Sequence, residues 1–149
     1  MTTITISKTQ RAYIVFAWVT LGTVIVQFFL AGLGVFGGHF DFHLHLLFPI
    51  VIAASMVTTL VLAGVARLPR RVIGQAALLI VLLFAQSVLI ELWRAGLVVA
   101  GALHPVNGLA IFALAALAAV RARQVVATRA AVAQAARLAT TRTPEAVSA

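Results

Sequence analysis

Three of the four histidines in the chain lie close together, in the segment GGHFDFHLHLLFPIV at positions 37–51. They are His39, His43 and His45, and the fourth is His104. Imidazole is the commonest side-chain metal ligand and carries protons near neutral pH, but it is costly to place in hydrocarbon. Because an apolar run follows the cluster directly, its spacing allows metal or cofactor ligation, or proton transfer, at the edge of an apolar segment.

The composition is that of an integral membrane protein. Hydrophobic residues make up 63% and charged residues 9% of the 149 residues, and the mean hydropathy of +1.13 exceeds what a soluble domain of this length could bury. The chain has no cysteine, so disulfides, thiolate metal sites and thiol catalysis are excluded and any metal ligands must be nitrogen or oxygen. We attribute the net charge of +8 to membrane topology and expect a lipid bilayer, and no nucleic acid, as the partner.

Four segments are long and apolar enough to cross about 30 Å of hydrocarbon as helices of roughly 20 residues. They cover about 12–36, 42–66, 73–93 and 104–120. Residues 1–11 form an N-terminal segment, and residues 121–149 form a basic tail whose alanine content predicts that the fourth helix continues for several turns. Lys8 and Arg11 precede an apolar run longer than a signal-peptide core, so we expect the first helix to be retained.

The lysine and arginine residues are concentrated on one side of the predicted membrane topology. All of them except Arg94 fall before the first segment, between the second and third, or after the fourth. Under the positive-inside rule, both termini then lie in the cytoplasm and the other two loops lie outside. The chain is therefore predicted to be all-α, a four-transmembrane-helix up-down-up-down bundle with a C-terminal helical extension. We expect a multi-pass protein of the cell inner (plasma) membrane.

This topology places all four histidines at the outer side. In an up-down-up-down bundle with short connections, the second and fourth helices occupy diagonal corners, so histidines that begin them can face each other across the centre. His43 and His45 are two positions apart and point to different faces of a helix, so at most one of them faces inward. We favour His43, which Asp41 and the loop precede, as the partner of His104.

Other polar residues fall in the same outer half. They are Gln27 and Gln86 on the first and third helices and Asn107 on the fourth. Each could contact a bound cofactor, and each could instead form an interhelical hydrogen bond, as polar residues in membrane bundles do. Pro105 is tolerated in a first helical turn, which predicts that His104 lies at the helix entrance.

Bis-histidine heme b fits two opposed histidines in an apolar bundle, because a porphyrin needs an apolar slot and a neutral imidazole on each face. His43 and His104 are then the axial ligands, with Gln27, Gln86 and Asn107 near the cofactor. A copper or zinc site is the competing interpretation. Its ligands would be His39, Asp41, His43 and His45.

Three segments resemble a family of small four-helix bacterial membrane proteins of undefined function. They are VQFFLAGLGVFG, FDFHLHLLFP and ALHPVNGLAIF, and the resemblance extends over about residues 11–123. The family positions are Gln27, Asp41, His43, His104 and Asn107, so the resemblance implies the same diagonal pair and assigns no role to His39 or His45. The chain is more loosely similar to one four-helix half of heme A synthase, which implies heme ligation by the second and fourth helices but not heme A synthesis.

No catalytic motif identifies an enzyme: the chain has no serine elbow, phosphate-binding loop or dinucleotide fingerprint. The leading hypothesis is a heme-b-binding membrane protein that acts in electron transfer or heme handling near the outer face. The alternatives are a non-catalytic accessory subunit of a larger membrane complex, or one that self-associates, and a small transporter or outer-face metal-binding protein.

Overall fold

The computed structural model describes residues 6–37 and 42–142, and these residues form helices and connecting turns without a strand. The helices are α1 Lys8–Phe36, α2 His43–Leu47, α3 Pro49–Val65, α4 Arg70–Arg94 and α5 Val98–Arg142. Four spans are long and apolar enough to cross a membrane, because α2 and α3 together form the span His43–Val65. The predicted all-α fold with four membrane-spanning helices is confirmed, and its orientation across the membrane stays a prediction.

The four spans pack as a ring of neighbours. α1 contacts α3 and α5, and α4 also contacts α3 and α5. α3 and α5 therefore lie on one diagonal of the bundle and α1 and α4 on the other, which is the arrangement expected when successive helices alternate in direction. Small residues let the helices approach closely at the centre, where Ala17, Ala63, Ala115 and Ala119 are buried.

Local signals explain where two of the helices begin and end. Ser7 caps α1, because its hydroxyl accepts from the Gln10 backbone N–H at 3.2 Å while the Gln10 side chain accepts from the Ser7 N–H at 3.0 Å. α3 ends at Val65, and Arg67 follows with a left-handed φ of +52°, while the Leu68 N–H returns to the Ala63 carbonyl at 3.0 Å. This is a Schellman motif with arginine in the usual glycine position.

Pro49 divides the second span into α2 and α3. It has no N–H, so it cannot bond to the carbonyl of His45 four residues earlier, and it begins α3 as its first residue. The short α2 thus carries the histidines on a separate turn of helix.

α5 begins earlier than the sequence predicted. The helix starts at Val98, so His104 and Pro105 lie inside it and the predicted helix entrance at His104 is wrong. The reason is the tight turn before it: Gly96 adopts φ +99°, and only three residues separate the end of α4 at Arg94 from the start of α5. At its other end α5 continues unbroken to Arg142, so the tail is helical as expected over the part that the structure describes.

Candidate functional site

His45 and His104 face each other at one end of the bundle, here called the histidine end. This is the end where α1 and α4 finish and α2 and α5 begin. The two imidazole centroids are 6.5 Å apart, with an angle of 64° between the ring planes, and both side chains are half-buried. The diagonal pair of histidines predicted from the sequence is therefore present, but with a different member on α2.

The sequence predicted that His43 would face His104, and the structure brings His45 against it instead. His43 begins α2 and is exposed, and His45 is the residue turned toward His104. Side chains two positions apart on a helix point about 200° away from each other. Because α2 is helical from His43 onward, only one of His43 and His45 can face inward. Contact with α1 determines which face of α2 points inward, and the local sequence does not encode this contact.

A reciprocal pair of contacts joins Gln27 on α1 to His45. The Gln27 amide nitrogen donates to the His45 carbonyl at 2.9 Å, which is the carbonyl that Pro49 leaves without its helical partner. In the other direction, Nδ1 of His45 lies 3.3 Å from the Gln27 backbone carbonyl. The Gln27 amide nitrogen is also 3.5 Å from Nε2 of the same imidazole. Gln27 therefore orients the His45 backbone and ring together.

Gln86 and His104 repeat this arrangement in the other half of the bundle. The Gln86 amide nitrogen donates to the His104 carbonyl at 2.9 Å, and Nδ1 of His104 lies 3.3 Å from the Gln86 carbonyl. Here Asn107 completes the set, because its amide nitrogen donates to both the Gln86 side-chain oxygen and the Leu82 carbonyl. Gln27 has no such partner: its Oε1 is buried and accepts no hydrogen bond within the described residues.

The two halves are related by an internal sequence repeat. Gln27 and Gln86 are 59 positions apart, as are His45 and His104, and glycine follows each glutamine by ten positions. This repeat is a signal that the sequence contained and that motif analysis missed. It would have identified His45 rather than His43 as the equivalent of His104.

In each half of the bundle an aromatic ring packs against a glycine. The 59-residue repeat relates these two pairs, but the glycine of one half is equivalent to the aromatic residue of the other. A Cβ atom on Gly34 of α1 would lie 2.7 Å from the Phe42 ring, and a Cβ on Gly101 of α5 would lie 2.7 Å from the Trp93 ring. Gly34 is equivalent to Trp93, and Phe42 to Gly101, in the 59-residue repeat. Each half thus seats one aromatic ring on one glycine beside its histidine, and Phe42 also contacts His45 at a centroid distance of 5.9 Å.

The contacts of the two histidines determine which ring nitrogen is available. A carbonyl oxygen can only accept, so a hydrogen bond from Nδ1 requires the proton to be on Nδ1. Nε2 of each ring then carries a lone pair. A metal-binding histidine commonly donates its other N–H to a backbone carbonyl in this way. The arrangement therefore holds two neutral imidazoles with their centroids 6.5 Å apart, and in His45 the Nε2 lone pair faces the Gln27 amide nitrogen at 3.5 Å.

The alternative ion site falls largely outside the described residues. His39 and Asp41 belong to the segment that the structure does not describe, and His43 is exposed. Among residues 6–37 and 42–142, no group of three or more histidine, cysteine or acidic side chains could hold a metal ion. The carboxylate of Glu91 is already engaged, because it pairs with Arg94 at 2.7 Å on the exposed surface.

Away from the histidine end, the polar groups of the bundle satisfy one another. The Thr20 and Thr59 hydroxyls are 2.9 Å apart and buried, and the Thr23 and Ser55 hydroxyls are 3.3 Å apart. Gln75 donates to the Leu114 carbonyl at 3.0 Å. These contacts join α1 to α3 and α4 to α5, and they serve helix packing.

Known proteins add one finding. Residues 27–96 match the model of DUF6220, a family of unknown function. The DUF6220 match includes Gln27, His45 and Gln86 and ends before His104, and it confirms the expected resemblance to a family of undefined function. Comparison with curated proteins and with solved structures found no match, so the looser likeness to heme A synthase stays a prediction.

Proposed function

We propose that this membrane protein binds heme b between His45 and His104, and that it acts in electron transfer or heme handling at the histidine end of the bundle. The observation that carries the proposal is the symmetric pair of imidazoles, each with Nδ1 against a glutamine carbonyl and the two rings 6.5 Å apart. His45 replaces His43 as the ligand from the second span.

The distance between the two imidazoles supports the proposal of a bis-histidine heme. Two imidazole nitrogens that bind one metal ion from opposite sides are about 4 Å apart, which puts their ring centroids roughly 6 Å apart. The observed separation of 6.5 Å is close to this. The surroundings are apolar and aromatic, with Phe42 against His45 and the Phe28 and Phe112 rings 6.2 Å apart in the neighbouring layer.

Heme held in this way would supply one-electron chemistry. The contribution of the chain is to hold two neutral imidazoles in fixed orientation. The backbone carbonyls of Gln27 and Gln86 accept hydrogen bonds from Nδ1, which favours the tautomer with Nε2 unprotonated and increases the basicity of that nitrogen. Their amide groups also fix the histidine backbones, so the ligands are oriented from two sides.

The test is the absorption spectrum of the purified full-length protein in detergent, before and after heme b is supplied and then reduced with dithionite. We expect a Soret band and sharp α and β bands, with about one heme per chain. His45→Ala and His104→Ala should each abolish the reduced spectrum or weaken heme retention at least tenfold. His43→Ala is the matched control, because it removes an exposed imidazole two residues from His45 and should leave the spectrum unchanged.

Two results would refute the proposal. One is a wild-type protein that stays colourless after heme is supplied, which would favour an accessory or self-associating subunit. The other is a spectrum lost in His43→Ala and retained in His45→Ala, which would return the ligand role to the residue that the sequence first indicated. Size-exclusion chromatography of each variant distinguishes loss of heme from loss of fold.

A further inference from the structure

The opposite end of the bundle carries a concentration of positive charge without a matching negative charge. We call it the arginine-rich end; it contains the start of α1, the turn between α3 and α4, and the extension of α5. Among the residues that the structure describes, the one acidic side chain is Glu91, which pairs with Arg94 at the histidine end. Within the described residues, the basic side chains of the arginine-rich end therefore have no acidic partner.

A groove of about 410 Å³ lies at this end, between the start of α4 and the extension of α5. It is lined by Pro69, Gln124, Val125, Thr128, Arg129 and Val132. On α5 these residues share one helical face with Arg121, which precedes Val125 by one turn. Arg123 lies on the opposite face. The groove thus combines an apolar floor with hydroxyl, amide and guanidinium groups.

Arg129 is held in place over this groove. Its Nε donates to the Arg67 carbonyl at 3.0 Å. Within the described residues, the two terminal nitrogens of the Arg129 guanidinium make no hydrogen bond. A guanidinium oriented at Nε with its other donors free is well suited to a phosphate oxygen.

The register of α4 against α5 places the groove near the level where α4 begins. Gln75 bonds to the Leu114 carbonyl, which sets the register of α4 against α5 and puts Arg70 near the level of Arg121. Arg129 is roughly 12 Å further along α5 at 1.5 Å per residue. Helical side chains point toward the N-terminus of their helix, so Arg129 reaches back toward the membrane.

From these observations we propose that the groove binds the headgroup of an anionic phospholipid, with the phosphate on Arg129. Charge complementarity selects this occupant, since a basic groove at the end of a membrane-spanning bundle faces the anionic lipid surface. The site is independent of the histidine end.

The test compares two lipids on the purified full-length protein, using native mass spectrometry to measure retained phosphatidylglycerol and phosphatidylcholine. We expect wild type to retain phosphatidylglycerol preferentially and Arg129→Gln to retain about fivefold less. Arg123→Gln is the matched control, because it removes the same charge from the opposite face of the same helix and should retain wild-type binding. Val132→Glu, at an exposed groove position, should reduce retention as Arg129→Gln does without removing the contact to Arg67.

Each alternative has its own outcome. Equal losses in Arg129→Gln and Arg123→Gln would mean that general surface charge, and not the groove, holds the lipid. Full competition by inorganic phosphate would mean a free-anion site. A change in oligomeric mass with no change in lipid retention would mean that the groove contacts protein. Any of these three results overturns the proposal.

Discussion

At the scale of single residues, the Gln27 side chain compensates for a hydrogen bond that Pro49 removes. Pro49 cannot donate to the His45 carbonyl, and the Gln27 amide donates to it from the neighbouring helix at 2.9 Å. One polar residue thus stabilises a helix break and orients the histidine that precedes it. Gln86 makes the same bond to His104 without a proline at the equivalent position, so the two glutamines differ in what their removal costs.

This difference predicts a coupling between Gln27 and Pro49. Gln27→Leu should lower the free energy of unfolding by about 1 kcal/mol, because it leaves a half-buried carbonyl unpaired. Pro49→Ala restores an N–H that can bond to that carbonyl, so Gln27→Leu should cost clearly less in the Pro49→Ala background. The measurement is a double-mutant cycle of denaturant unfolding in detergent micelles. Strictly additive effects would show that the Gln27 amide does not replace the lost helical bond.

At the scale of elements, hydropathy did not predict which face of each helix points into the bundle. Helix number and the diagonal of the bundle followed from apolar length and short loops, and both were predicted. The direction of α2 depends on Pro49 and on packing against α1, so the choice between His43 and His45 needed the three-dimensional contacts or the 59-residue repeat. The early start of α5 depends on Gly96 in a positive-φ turn, which a proline rule applied to Pro105 overlooked.

The turn that ends α3 gives a prediction for its own element. Arg67 is exposed and left-handed, a conformation that costs an L-residue about 1 kcal/mol and glycine much less. Arg67→Gly should therefore leave stability unchanged or raise it by up to about 1 kcal/mol, while keeping the carbonyl that accepts from Arg129. Arg123→Gly is the control, since Arg123 is exposed in the interior of α5 and its replacement should destabilise that helix. Thermal unfolding of both variants in detergent measures the difference, and equal destabilisation would contradict this explanation of the turn.

At the scale of the whole molecule, the chain is two helical hairpins that bring equivalent histidines together. One hairpin is α1 with α2 and α3, and the other is α4 with α5. Parallel repeats of this kind are related by an axis along the membrane normal, so the shared site lies on that axis at one end of the bundle.

The orientation of the bundle can be measured directly because the chain has no cysteine. Ala95→Cys lies in the exposed turn at the histidine end, and Ala133→Cys lies on the exposed surface of the α5 extension. With both termini cytoplasmic, a membrane-impermeant maleimide added to intact cells should label Ala95→Cys alone, and both variants after permeabilisation. Labelling of Ala133→Cys alone in intact cells would reverse the orientation and move the histidine end to the cytoplasm.

The central claim is that one heme iron is held by both His45 and His104. Electron paramagnetic resonance of the ferric, heme-loaded full-length protein tests it most directly, because two axial imidazoles give a low-spin iron and a single one gives a high-spin iron. We predict a low-spin signal for wild type and His43→Ala, and conversion to high-spin or loss of heme in both His45→Ala and His104→Ala. A high-spin wild type, or a low-spin signal that survives removal of either histidine, would contradict the claim.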